Sequence, residues 1–126
     1  MLLVTEQEVA KICDFVTHLN SMEDSVIVVE GKRDADALRK IGFTGKMLQF
    51  YRFGGMVDFA DSVAQYRNVI ILFDRDRKGR QLTGKMIRLL SRRTRIDLTF
   101  RNRLGVISMG RVRFTEQLRC YEPYLF

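Results

Sequence analysis

The sequence predicts an α/β protein with an open parallel sheet and helices on both faces. Two observations carry that expectation. Short apolar runs such as "VIVVE" (26–30) and "VIILF" (69–73) read as strands buried on both sides. Between them lie stretches with helical spacing, so strand and helix alternate, as parallel strands joined by right-handed crossovers require.

Taken in order, Thr5 and Glu8 form a T-x-x-E capping box. Val9, Ile12, Cys13, Val16 and Leu19 then recur on one helical face, which predicts a helix from about Glu6 to Asn20. "VIVVE" is the first strand. "DADALRKIG" reads as a short helix, with Asp34 as its cap and Gly42 as its stop. "KMLQFY" is a second strand, "FGG" breaks the chain, and "MVDFADSVAQY" is a helix. "VIILF" is the third strand. A basic helix follows from Arg77 to Arg93, with Leu82, Met86, Leu89 and Leu90 inside and Lys85, Arg88 and Arg92 outside. "IDLTF" is the fourth strand. Beyond Phe100, "FRNRLGVISMGRVRF" reads as a hairpin or as a loop and strand, with a short final helix at "TEQLRCY".

Composition narrows the chemistry. With 126 residues, 46% hydrophobic and 29% charged, the default is one domain, 1–126, with an ordinary core. No apolar run approaches a membrane span, and acids follow the start too soon for a leader, so a cytoplasmic location and no membrane partner are expected. Cys13 and Cys120 lack any zinc-ligand spacing and read as reduced thiols. His18, the only histidine, reads as a surface or boundary residue. The net charge of +7 is unevenly placed. Residues 1–66 carry seven basic and ten acidic residues, and residues 67–126 carry fifteen basic and five acidic. Such a basic half suits a polyanion, most often nucleic acid.

The candidate site follows from the strand ends. In open α/β sheets the binding crevice lies beyond the carboxyl ends of the strands, where strand order reverses. The first strand ends at Glu30, and the third runs into Asp74 and Asp76. Carboxylates that converge persist when a cation or a shared proton neutralises them. Glu30, Asp74 and Asp76 are thus expected to converge as ligands of one cation, and an all-oxygen donor set favours magnesium, with manganese as an alternative. The one-residue spacing of Asp74 and Asp76 is expected to let both face the same way. Gly31 and Gly79 allow close turns, and Lys32, Arg33, Arg77, Lys78 and Arg80 are placed to neutralise phosphate. Lys85, Arg88 and Arg92 extend that basic surface. Asp34 and Asp36 are expected to be a helix cap and a solvated face.

"VVEGKRDADAL" followed by "ILFDRDRKG" resembles the Toprim domain, whose signature is a strand ending in Glu-Gly and a later strand ending in D-x-D with a glycine three residues on. Glu30-Gly31 and Asp74-x-Asp76-x-x-Gly79 fit both parts, and the resemblance spans about residues 24–100, leaving 101–126 as a basic C-terminal extension. It implies a Rossmann-like open sheet of four parallel strands. It also implies Glu30 as general acid or base and Asp74 and Asp76 as magnesium ligands. "EGKRDADAL" is similar to the ribosomal-RNA maturation nuclease, to primase-type domains and to small stand-alone Toprim proteins.

Other families fit less well. A haloacid-dehalogenase phosphatase wants Thr or Val where Lys78 stands, and "GFTGKM" lacks P-loop spacing. The chain has neither the large domains of a topoisomerase nor a primase zinc module. The resemblance therefore implies magnesium-dependent phosphodiester cleavage or nucleotidyl transfer on RNA or DNA. The alternative is a non-catalytic nucleic-acid-binding or scaffold module of a larger processing complex. A homodimer or a protein partner is compatible with either.

Overall fold

Four short strands form one all-parallel sheet in the order β2-β1-β3-β4 in the computed structural model, which describes residues 4–125. Residues 1–3, part of the start weighed as a leader, lie outside the described residues. The strands are β1 (Ser25–Val29), β2 (Met47–Gln49), β3 (Asn68–Ile71) and β4 (Arg95–Asp97). The α-helices are α1 (Glu6–Ser21), α2 (Lys32–Lys40), α3 (Met56–Val63), α4 (Arg77–Leu90), α5 (Thr99–Ile107) and α6 (Glu122–Leu125). Two 3₁₀ helices, Phe50–Arg52 and Thr115–Tyr121, complete the chain. The expected α/β class, with helices on both faces, is what the molecule has.

Alternation along the strands divides the core into two layers. Val26, Val28, Val69, Ile71 and Phe73 face α3 and α4, whose Phe59, Val63, Leu82, Met86 and Leu90 meet them. Ile27, Val29, Ile70 and Leu72 face α1, α2, α5 and the C-terminal segment. Both faces are covered, which is why these strands read as unbroken apolar runs rather than alternating ones. From β1 the chain crosses to β2 on one side, then returns past β1 to β3. Strand order therefore reverses between β1 and β3, whose paired register runs from Ser25 opposite Asn68 to Val28 opposite Ile71.

The helix starts follow local chemistry. Thr5 Oγ1 accepts the Glu8 N–H at 3.0 Å and opens α1. The buried stripe of α1 is Glu8, Ile12, Phe15, Val16 and Leu19, so exposed Cys13 falls outside it and Phe15 takes that place. Gly31 caps α2. Asp34 stands at the third helical position and its Oδ2 accepts the Gly31 N–H at 3.0 Å, so it closes the cap from inside the helix. Gly42, at φ 106°, ends α2 in the left-handed region where glycine has no steric penalty.

The sequence reading fails beyond β4. The "IDLTF" strand stops at Asp97, and Thr99–Ile107 is helix rather than hairpin or strand. Asp97 Oδ1 accepts both the backbone N–H and the hydroxyl of Thr99, at 2.8 and 2.6 Å, which turns the chain into α5. Phe100 and Leu104, one turn apart, then bury against α1. "TEQLRCY" is helical as expected, in 3₁₀ form. His18 is exposed, with Nδ1 2.7 Å from Arg103 Nη1, and both cysteines are free and exposed. Among the described residues, no helix is long and apolar enough to cross a membrane.

Candidate acidic site at the strand-order switch

The reversal point brings together the ends of β1 and β3. Glu30 follows β1 directly and is only 4% exposed. Its Oε2 accepts the Asp74 backbone N–H at 2.8 Å, and its Oε1 accepts the Tyr51 hydroxyl at 3.3 Å. Those two bonds fix the carboxylate between the neighbouring strand exits. Burial raises the Glu30 pKa from the ordinary 4.5 to about 7. The Asp74 N–H opposes that rise, while the Asp74 and Asp34 charges add to it.

Asp74 is half-buried on the turn that leaves β3. Its Oδ1 accepts the Thr115 N–H at 2.7 Å, and its carbonyl accepts Arg101 Nη2 at 2.8 Å. Arg101 Nε also reaches the Phe73 carbonyl at 2.9 Å, so one guanidinium from α5 clamps the backbone of the turn. Burial, with the charges of Arg75 and Arg80 nearby, lowers the Arg101 pKa. Asp76 caps α4, its Oδ1 accepting the Gly79 N–H at 2.8 Å. The expectation that strand alternation would aim Asp74 and Asp76 the same way does not apply, because β3 ends at Ile71 and both aspartates stand on the following turn. Gly79 is buried hard against that turn. A Cβ there would lie 1.8 Å from the Asp74 carbonyl oxygen.

Asp34 caps α2 as expected, and its place in the site is what the sequence did not show. The capping carboxylate is buried, only 7% exposed. Burial first, then the Asp74 charge, raises its pKa from 3.8 to about 6, against the opposing N–H groups of Gly31 and Glu116. Asp36 is exposed as expected. Glu30, Gly31, Lys32, Arg33, Asp34, Tyr51, Asp74 and Glu116 line a groove of about 280 Å³.

The basic residues divide into two sets. Lys32 and Arg33 sit on the groove wall, and Lys78 Nζ donates to the Tyr51 hydroxyl and lies 4.5 Å from the ring centroid. The Tyr51 bond raises the Lys78 pKa. Arg77 is exposed at the start of α4, and Arg80 donates to the Arg75 carbonyl at 3.2 Å. Lys85, Arg88 and Arg92 are exposed farther along α4 and just past its end. At 1.5 Å per residue, Arg88 stands about 16 Å along the helix from Arg77, so this set extends the basic surface away from the acids.

Four residues the sequence did not single out belong here: Tyr51, Arg101, Thr115 and Glu116. Tyr51 was within reach of the strand-end rule, since it lies just past β2 at the same sheet edge. The other three come from segments whose contact with the site is non-local.

A profile of the Toprim domain matches residues 25–104. Similar proteins include the UPF0292 protein PF1724 of Pyrococcus furiosus, 36% identical over 93 residues, or 74% of this chain and 70% of that one. The UPF0292 protein PYRAB04740 of Pyrococcus abyssi is 34% identical over 81% of this chain and 76% of its own. A solved structure of a protein from Aquifex aeolicus superimposes with a TM-score of 0.69, at 28% identity, over 83% of this chain and 95% of that one. The chain belongs to the Toprim domain family, a family of metal-dependent nucleic-acid-processing domains that generally bind magnesium through acidic residues.

The residues present suit that ion in one way and not in another. Among the described residues, no group of three or more acidic, histidine or cysteine side chains could hold a metal, so Glu30, Asp74 and Asp76 do not form the expected three-acid cage, and both Glu30 oxygens are engaged by the Asp74 N–H and the Tyr51 hydroxyl. Magnesium needs no such cage. It takes one or two carboxylates and completes its shell with water and phosphate oxygens. Asp74 and Asp76 each engage one carboxylate oxygen with a backbone N–H, and a carboxylate has a second oxygen to offer.

Proposed function

We propose that this protein carries out magnesium-dependent phosphodiester cleavage or nucleotidyl transfer on nucleic acid. The observation that carries the reading is the placement of Glu30. A buried carboxyl, held by the Asp74 N–H and the Tyr51 hydroxyl, stands beside the D-x-D turn at the strand-order switch. Asp74 and Asp76 are the proposed ligands of the ion. When bound, magnesium would stabilise negative charge developing on the phosphate.

Glu30 moves the proton. With its pKa raised to about 7, both protonation states are populated near neutrality, which suits a group that accepts and returns a proton. The Tyr51 and Asp74 bonds orient it, and burial on the β1 side excludes bulk water. Lys32, Arg33, Lys78 and Arg80 are proposed to hold phosphates next to the acids, with Gly31 and Gly79 permitting the close turns. Arg77, Lys85, Arg88 and Arg92 are proposed to carry the rest of the strand as a salt-sensitive electrostatic track.

The test is turnover of end-labelled RNA and DNA by the purified chain with magnesium. Glu30→Gln, which keeps the shape and loses the proton, abolishes turnover while leaving nucleic-acid binding intact. A second reading, a non-catalytic binding module, draws on the fact that Asp74 and Asp76 each serve a backbone N–H. Binding without turnover on either nucleic acid supports the module and rejects the enzyme.

A further inference from the structure

The segment after α5 lies outside the residues matched to the Toprim profile, yet it reaches the centre of the site. Val112, Leu118 and Tyr121 anchor it in the core shared with α1 and α2. Thr115 is buried, and its hydroxyl donates to the Leu72 carbonyl at 2.8 Å, fastening the segment to the exit of β3. The Arg113 carbonyl accepts the Arg75 N–H at 2.7 Å from the same exit. Gln117 Oε1 then accepts the N–H groups of Arg113 and Phe114, at 2.8 and 2.9 Å, and closes the turn.

That turn presents a backbone amide to one of the site's acids. The Thr115 N–H donates to Asp74 Oδ1 at 2.7 Å. The first amides of a helix have no partner within it, so they are free to hold carboxylates. The Glu116 side chain meanwhile lines the groove. We propose that Arg113–Gln117 is a positioning segment of the site, in which the Thr115 amide orients Asp74 toward the groove and sets it for a divalent cation. The inference rests on the reading of Asp74 as a metal-holding carboxylate. It adds that the chain beyond the signature region is a working wall of the site.

Two variants separate positioning from folding. Thr115→Pro removes the N–H that holds Asp74. Proline is tolerated at the first position of a helix, and Phe114 before it is already extended, at φ −109° and ψ 132°. Thr115→Val keeps the N–H and removes only the hydroxyl. Calorimetric titration of the full chain with manganese alone is expected to give an affinity at least about ten-fold weaker for Thr115→Pro than for Thr115→Val, the scale seen when the partner of a metal ligand is removed. Equal affinities in the two variants overturn the proposal. Amide exchange on metal-free wild-type protein decides the matter whether or not manganese binds. Slow exchange at Thr115 that disappears in Asp74→Ala supports the contact. Exchange at the rate of an open loop, or protection that survives Asp74→Ala, overturns it. Wild-type protein that binds no manganese counts against the metal reading itself, and the exchange result then stands alone for the positioning of Asp74.

Discussion

Glu30→Gln should stabilise the metal-free protein while it removes activity. Glutamine keeps an acceptor for the Asp74 N–H and fills the same space, but carries no charge. In the unfolded chain the Glu30 carboxyl has its ordinary pKa of 4.5, and in the folded protein about 7. Between those values the folded chain holds the proton more tightly. Its contribution to stability is therefore complete below pH 4.5 and is lost as pH rises through 7. The gap, at about 1.4 kcal/mol per pH unit, is on the order of 3 kcal/mol by pH 8 and under about 1 kcal/mol at pH 5. Urea denaturation in a chelating buffer at the two pH values measures it. The expected result is a variant more stable than wild type by on the order of 3 kcal/mol at the higher pH, with the two nearly matched at the lower. Asp34 titrates in the same window in both proteins, so the difference between them reports chiefly on Glu30. Parallel stability curves, or a variant less stable at the higher pH, would refute the claim that folding strips water from an ionised Glu30.

Gly79→Ala puts a methyl group against the Asp74 carbonyl, where the structure offers 1.8 Å, and should cost about 3 kcal/mol or more, seen as a lowered melting temperature. Arg101→Met removes two charge-assisted bonds to the Phe73 and Asp74 carbonyls; a loss of about 2 kcal/mol in denaturant titration is expected, with reduced turnover. Replacing Arg88 and Arg92 with alanine should weaken nucleic-acid binding and lower the slope of log affinity against log salt by about one for each phosphate no longer neutralised. Turnover at saturating substrate should stay near wild type, because both residues lie away from the groove.

The fold was legible because its signals are local. Val26–Val29 and Val69–Phe73 are buried on both faces and say so as continuous apolar runs. The strand-end rule then places Glu30 and Asp74 together from sequence alone. Asp34 escapes such a reading because a cap and a buried site residue look alike in sequence. Its burial comes from Thr115–Tyr121 packing along α2, some eighty residues later. Its place in the first turn of α2, just past the Glu30-Gly31 strand exit, was the signal available. Thr115 acts through its backbone N–H, which no residue type advertises. Helix α5 is hidden because Gly105 and the β-branched Val106 and Ile107 weaken its propensity, while Phe100 and Leu104 supply only two fully buried positions. Gly105 lies inside α5 rather than ending it, with the Arg75 guanidinium lying across it.

The proposal that Asp74 and Asp76 hold a divalent ion beside Glu30 is tested most directly by anomalous scattering from a manganese-soaked crystal. The expected result is one peak about 2.1 Å from a carboxylate oxygen of Asp74, with Asp76 joining it directly or through water. A peak elsewhere on the molecule, with Asp74 untouched at saturating manganese, would contradict it.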